Sequence, residues 1–115
     1  MGRARFYAES LDDSTALVAV NGELDLANTR ELRRCVETAL GEGRARIVVD
    51  LTEASHIDSS GLAELITATQ RARDMGGALG LVVTSHPLTR TLEIRGVDGL
   101  LPTAPTRAEA IAALP

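Results

Sequence analysis

Short apolar runs alternate along this chain with stretches in which apolar residues recur every three or four positions. Such continuous runs are typical of strands that are buried on both faces. A more polar stretch at 5–11 and a turn cluster at 12–15 precede the first run, and this order predicts a hairpin. Asn21 and Gly22 are predicted to end the hairpin's second strand. The runs lie at 16–20, 46–51 and 79–84.

Two stretches between these runs have the periodicity of amphipathic helices. The first is predicted to start at Asn28 and to end at the glycines of 41–43, and the second to follow Asp58 and end at 75–77. Each places its apolar residues on one face, which should pack on the sheet. The apolar residues are Leu32, Cys35, Val36, Ala39 and Leu40 in the first helix and Leu62, Leu65 and Ile66 in the second, where Thr69 continues the stripe.

The last third of the chain predicts two more helices. Pro87 stands near the first position of one, and a capping box at 106–109 precedes the other. A short strand is predicted around 99–101 between them, and the inward face of the first is Leu88, Leu92 and Arg95.

The element order β-β-α-β-α-β-α-(β)-α predicts the α/β class. We expect a mixed β-sheet of about 4–5 strands, parallel at its centre, with helices packed against it. The segment at 52–57 is predicted to be a loop, and the 115 residues are predicted to form a single domain, 1–115.

Composition excludes several classes of function. A formal net charge of −4 disfavours nucleic-acid backbones and anionic membranes. Phe6 and Tyr7 are the only aromatic residues, too few to stack single-stranded bases. No apolar stretch is long enough to span a bilayer, and no secretory signal peptide is evident, so a cytoplasmic location is predicted.

Metal and cofactor chemistry also lack candidates in the sequence. Cys35 is the single cysteine, so an internal disulfide and a cysteine-based metal site are excluded, and we expect it to be a small core residue. His56 and His86 are too far apart to suggest metal-ligand spacing; we expect the first in a loop and the second at a helix start. No cofactor and no metal are predicted.

The sequence Asp58-Ser59-Ser60-Gly61 has the composition of a helix N-terminus. Asp58 is predicted to cap the second long helix, with both serines in its first turn, and Gly61 would leave room for another protein to approach. A phosphate on Ser59 would lie near free N–H groups at the positive end of the helix dipole. The alternative is an ordinary cap with no further function.

The segment Gly22-Glu23-Leu24-Asp25 lies between a strand and a helix. Glu23 and Asp25 could contact a partner, or they could belong to a solvated loop in which Asp25 caps locally. A hydrolase built on Ser59 or Ser60 with a histidine is disfavoured, because no nucleophile-elbow glycine pattern precedes the serines. No catalytic residue is predicted.

Two long segments, VNGELDLANTRELRRCVETAL and ARIVVDLTEASHIDSSGLAELITA, resemble the STAS domain family in its stand-alone form, the bacterial anti-sigma-factor antagonist. RDMGGALGLVVTS, LEIRGVDGLLP and TRAEAIAAL extend the resemblance over nearly the whole chain. The resemblance implies a non-enzymatic protein that is phosphorylated on Ser59, with Ser60 as second choice. The implied partner-binding residues are Glu23, Asp25, Asp58, Ser59, Ser60, Gly61 and Leu62.

The partners implied by the resemblance are an anti-sigma factor that is itself a serine kinase and a metal-dependent serine phosphatase. The unphosphorylated protein would bind the kinase and thereby free a sigma factor, and ATP and Mg²⁺ would belong to the kinase. Two alternatives stay open: a STAS module of another signalling assembly, and a STAS domain that senses a nucleotide or a lipid.

Overall fold

The structure, a computed structural model, describes residues 5–94 and 99–115. Six strands and four helices follow one another within these ranges. In chain order they are β1 (Arg5–Ser10), β2 (Thr15–Leu24), α1 (Thr29–Gly41), β3 (Arg46–Asp50), β4 (Ala54–Ile57), α2 (Ser59–Asp74), β5 (Ala78–Val82), α3 (His86–Ile94), β6 (Thr103–Ala104) and α4 (Arg107–Ala113).

One mixed sheet organises the chain, in the order β1-β2-β3-β5-β6. The hairpin pair β1–β2 is antiparallel, and β2–β3, β3–β5 and β5–β6 are parallel. β4 also pairs with β2 in parallel, beyond the stretch that β2 shares with β3. The predicted α/β class, with a mixed sheet that is parallel at its centre, is confirmed.

Three local predictions are wrong, and all concern strands. The stretch 52–57 is not entirely a loop, because Ala54–Ile57 forms β4, the strand missing from the predicted element order. β2 does not end at Asn21 but runs on to Leu24, since Gly22 adopts a φ of 105° where the register with β4 shifts. The last strand lies at 103–104 rather than around 99–101.

Both faces of the sheet are covered, but unequally. The larger core lies under α1 and α2, and its fully buried members include Leu32, Ile47 and Leu65. The opposite face has a smaller core beneath α4, formed around Leu17 and Val48. This asymmetry follows from the lengths of the covering helices, 13 and 16 residues on one face against seven in α4.

The helix periodicities predicted the inward faces correctly. Of the predicted residues, Cys35, Leu40 and Ile66 are partly buried and pack against the core, and the others of α1 and α2 are buried. Leu88 and Leu92 of α3 are also buried, whereas Arg95 lies outside the described residues. His86 begins α3 as expected, but His56 is an exposed residue of β4 rather than of a loop.

Candidate functional site

The candidate site is built around Asp58, which links β4 to α2. Its backbone is extended, with φ −89° and ψ −178°, and its Oδ1 accepts a hydrogen bond of 2.8 Å from the Gly61 N–H. That N–H lies in the first helical turn, where no intrahelical acceptor is present. The predicted N-cap is therefore confirmed.

The second carboxylate oxygen of Asp58 binds a different part of the chain. Oδ2 accepts a bond of 3.3 Å from the Leu26 N–H, in the loop between β2 and α1. The backbone N–H of Asp58 donates to the Leu24 carbonyl at 3.1 Å. One side chain thus fixes the start of α2 and the neighbouring loop relative to each other.

The loop that Asp58 holds, residues 25–28, is also fixed from within. Asn28 donates from Nδ2 to the Glu23 carbonyl at 2.7 Å and accepts from the Asp25 N–H at 3.0 Å. Asp25 in turn accepts from the Ala27 N–H at 3.0 Å. Asp25 therefore makes the local turn that was one alternative for this segment. Asn28 stands at the N-cap of α1 but uses its side chain for the loop, and no side-chain bond caps that helix.

Leu26, at the tip of this loop, is 75% exposed. A leucine usually buries its side chain, and burial would stabilise it by about 1.5–3 kcal/mol. Here an exposed apolar side chain is attached to a backbone held by Asp58, Asp25 and Asn28. The sequence pattern did not single out Leu26, and it marked Asn28 only as the start of a helix, because neither exposure nor a three-way hydrogen-bonded loop can be inferred from periodicity.

Gly61 has an internal reason to be glycine. It is buried, and a Cβ there would lie 2.7 Å from the Leu24 carbonyl oxygen and 2.8 Å from Leu24 Cγ. The space that was expected to admit another protein is filled by Leu24 of this chain. Leu62 is buried as well, so the side chains in the first turn of α2 that solvent reaches are those of Ser59 and Ser60.

The two serines differ in accessibility. Ser59 is exposed and Ser60 is intermediate. Both belong to the first turn of a 16-residue helix whose last turn contains Arg71 and Arg73, a charge arrangement that suits the helix dipole. The geometry can therefore accept a negative group on Ser59 at a helix end that favours one.

An ion pair joins α1 to α2 close to this site. Arg33 donates from Nε and Nη2 to Glu64 Oε1, at 3.2 and 2.8 Å, and Glu64 is only 5% exposed. Glu64 lies one helical turn after Ser60. The pair was not predicted from the sequence, since it joins residues 31 positions apart.

Residues 5–94 and 99–115 contain no group of three or more His, Cys, Asp or Glu side chains able to hold a metal ion. Within the same ranges, no helix combines the length and apolarity needed to cross a bilayer.

The sequence matches the model of the STAS domain over residues 9–110. The chain belongs to the STAS domain family. It is 27% identical to BtrV of Bordetella bronchiseptica over 101 residues, 88% of this chain and 87% of that one. The anti-sigma-B factor antagonist of Listeria monocytogenes is 29% identical over 84 residues, which cover 73% of this chain and 74% of the relative.

Solved structures share the fold of this STAS domain. An anti-sigma factor antagonist from Mycobacterium paratuberculosis superposes with a TM-score of 0.85 at 22% identity, covering 97% of this chain and 94% of the other. The Bacillus cell fate determinant SpoIIAA in its phosphorylated form gives a TM-score of 0.72 at 24% identity, over 94% and 97% of the two chains. At these identities the likeness shows the fold alone.

Proposed function

We propose that this STAS domain is an anti-sigma-factor antagonist controlled by phosphorylation of Ser59. The observation that carries the proposal is the double use of Asp58, which holds the start of α2 with one oxygen and the Leu26 loop with the other. The two sequence relatives, both named as antagonists of anti-sigma factors, support the choice of partner. This chain would be a kinase substrate and a binding protein, with no catalytic residue of its own.

The binding surface, called here the Asp58 surface, consists of solvent-accessible residues around that aspartate. Leu26 supplies an apolar side chain on a fixed backbone, so burying it against a partner costs little ordering of the loop. The carboxylates supply charge that orients the partner. Gly61 and Leu62 support the surface from beneath. Its members are Glu23, Asp25, Leu26, Asp58, Ser59 and Ser60.

Phosphorylation would change this surface without unfolding it. A phosphate adds about −1.5 to −2 charges at neutral pH. Beside Asp58 it would repel acidic groups of a partner and enlarge the side chain at the centre of the surface. The positive end of the α2 dipole would stabilise the phosphate, so the helix remains formed.

The partner we propose is an anti-sigma factor that is also a serine kinase, with ATP and Mg²⁺ bound by the kinase. A serine phosphatase would restore the unmodified protein. This protein and the anti-sigma kinase would meet in the cytoplasm, where sigma factors act.

The first prediction concerns the acceptor. Incubation with a cognate kinase and Mg-ATP should add one phosphate, and mass spectrometry should place it on Ser59. Ser59→Ala should abolish the modification, whereas Ser60→Ala, the matched control, should retain it. Undiminished phosphorylation of Ser59→Ala would assign the acceptor to another residue.

Titration calorimetry then tests the switch itself. Authentic phosphoprotein should bind the anti-sigma kinase at least about tenfold more weakly than unmodified protein, a difference of about 1.4 kcal/mol, with an unchanged circular dichroism spectrum. Equal affinity of the two forms would eliminate the switch and favour a ligand-sensing STAS domain. Loss of binding together with unfolding would mean that Ser59 is needed for structure.

The second prediction concerns Leu26. Leu26→Ala should weaken binding of the anti-sigma kinase by at least about tenfold, because burying a leucine side chain contributes about 1.5–3 kcal/mol and most of that is lost on truncation. Leu100, 49% exposed but outside the Asp58 surface, provides the control. Leu100→Ala should bind within about twofold of the unmodified protein. Equal losses in both variants would show that Leu26 has no special part in the interface.

A further inference from the structure

The outer edge of β1 has no strand partner among the described residues and lies apart from the Asp58 surface. Among the described strands, β1 pairs with β2 alone. The Leu11 N–H donates to the Thr15 carbonyl, in continuation of the β1–β2 register. Because peptide groups alternate in direction along an antiparallel strand, Phe6, Ala8 and Ser10 direct theirs to the open edge.

The sequence of this edge is complementary to itself. Residues 5–9 read Arg-Phe-Tyr-Ala-Glu. If a second copy of β1 pairs antiparallel with Tyr7 opposite its own counterpart, Arg5 lies opposite Glu9 of the second copy. Phe6 then lies opposite Ala8, and the second half repeats these pairs by symmetry. A twofold interface has this isologous form.

We propose that two copies of this protein associate through β1 to form one continuous sheet. In the pairing centred on Tyr7, each Phe6–Ala8 pair exchanges two backbone hydrogen bonds, using the groups directed to the open edge. The two Tyr7 side chains form a non-hydrogen-bonded pair, the arrangement in which facing side chains are closest.

The exposure of the side chains on β1 agrees with pairing to a second copy of this strand. Tyr7 is 57% exposed and lies opposite Ala19 of β2, whose small side chain leaves the ring largely uncovered. Its hydroxyl donates to Glu9 Oε1 at 3.2 Å on the same face. Arg5 makes no ion pair with any residue that the structure describes.

Charge selects one register among those that the edge allows. Pairings centred on Phe6 or on Ala8 also match outward peptide groups, but they place Arg5 or Glu9 opposite Tyr7. Among the residues of β1, 5–10, the register centred on Tyr7 is the one that sets opposite charges face to face, which favours cross-strand pairing, whereas like charges oppose it.

The position of β1 leaves the Asp58 surface accessible. β4 and the start of α2 lie on the other side of β2, because the Gly22 N–H of β2 points away from β1 and donates to the Glu53 carbonyl on the β4 side. A single pair of strands buries little area, so we expect a reversible dimer with a Kd of roughly 10 µM to 1 mM.

Sedimentation equilibrium tests the dimer from about 10 µM to 1 mM, a range set by the expected affinity. Unmodified protein should shift from monomer to dimer over this range. Arg5→Glu and Glu9→Arg should each stay monomeric, because each variant sets like charges opposite each other. The double exchange of the two residues should restore the dimer, and an equimolar mixture of the two single variants should form a heterodimer. A monomer at all concentrations would overturn the proposal. Dimerisation that is unaffected by the charge substitutions at Arg5 and Glu9 would overturn it as well.

A backbone variant separates edge pairing from folding. Ala8→Pro removes an N–H that points to the open edge and leaves the β1–β2 bonds in place. The variant should be monomeric, with an unchanged circular dichroism spectrum and unchanged affinity for the anti-sigma kinase. A dimer that survives Ala8→Pro would place the interface elsewhere.

Disulfide trapping tests the register directly, in a Cys35→Ser background. Tyr7→Cys should form an intermolecular disulfide under mild oxidation, because facing Cβ atoms in such a pair are about 4.5–5.5 Å apart. Glu9→Cys is the matched control, since its counterpart lies four residues away along the strand, roughly 13 Å. Equal trapping at both positions would refute the register, and trapping of neither in a dimer would indicate another interface.

Discussion

Asp50 and Asp58 both stand at the carboxyl ends of parallel strands, β3 and β4, yet they are bound in opposite ways. Asp50 is 4% exposed; it accepts from the Thr52 N–H at 2.9 Å and from Arg107 Nε at 2.6 Å. Asp58 is partly exposed, and its acceptor bonds come from backbone N–H groups. An arginine thus neutralises the first carboxylate, whereas the second can present its charge at a surface.

This difference separates a stabilising acid from one suited to recognition. Asp50 connects β3 to the start of α4, because its partner Arg107 is the first residue of that helix. Asp58 connects two backbone segments that both reach solvent. Three experiments would sharpen or break this distinction.

The largest loss of stability is expected from a substitution at Gly61, where α2 approaches β2 closely enough for Asp58 to reach the loop. Gly61→Ala should destabilise the fold by about 3 kcal/mol, near the upper end of overpacking costs, because the new Cβ would meet a backbone carbonyl that cannot easily move. Gly41→Ala is the control, since no atom lies within 4 Å of a Cβ there. Urea unfolding measures both, and equal stabilities would show that Leu24 moves aside.

Replacing each aspartate should separate stability from binding. Asp50→Ala should lower the free energy of unfolding by about 1–3 kcal/mol, by leaving the Thr52 N–H and Arg107 without their acceptor. Affinity for the proposed partner, the anti-sigma kinase, should stay within about twofold. Asp58→Ala should cost only about 1 kcal/mol as a lost cap but weaken binding at least about tenfold. Equal affinities of the two variants would remove the distinction.

The smallest effect is expected from acid pH. Burial tends to raise the pKa of Asp50, but hydrogen bonds from the Thr52 N–H and from Arg107 outweigh it and lower the pKa below its ordinary value. The carboxylate therefore stabilises the fold above the unfolded-state pKa of about 4, and that contribution is lost as the pH falls through the lower folded-state value. In urea unfolding, the advantage of the unmodified protein over Asp50→Asn should shrink below about pH 4. An advantage that is constant from pH 7 to pH 3 would contradict this assignment.

The sequence predicted the helices better than the strands, for a physical reason. The apolar stripes of α1 and α2 repeat over several turns, so periodicity located residues such as Leu32 and Leu65 on the inward faces. β4 has four residues, two of them exposed, and β6 has only two. Strands this short are determined by their partners in the sheet and carry little pattern of their own.

The candidate site was predictable in part. Composition located the cap at Asp58, because only local backbone groups are needed to explain it. The bond from Leu26 to Asp58 spans 32 residues and depends on the β2–β4 pairing, which the sequence did not indicate. The packing of Gly61 against Leu24 depends on the same pairing. The sequence analysis therefore correctly expected a close approach at Gly61, but the atoms that approach belong to Leu24 of this chain and not to another protein.

The confinement of Gly61 changes how its motif can be used in sequence searches. Asp58 caps α2 and holds the Leu26 loop, and Gly61 packs against Leu24. A chain of this architecture therefore needs equivalents of both residues even if no kinase ever acts on it. Ser59 is exposed, so packing does not require a serine at this position. A search for switchable members of the family should therefore rank chains by the residue that aligns with Ser59 and treat the flanking aspartate and glycine as markers of architecture.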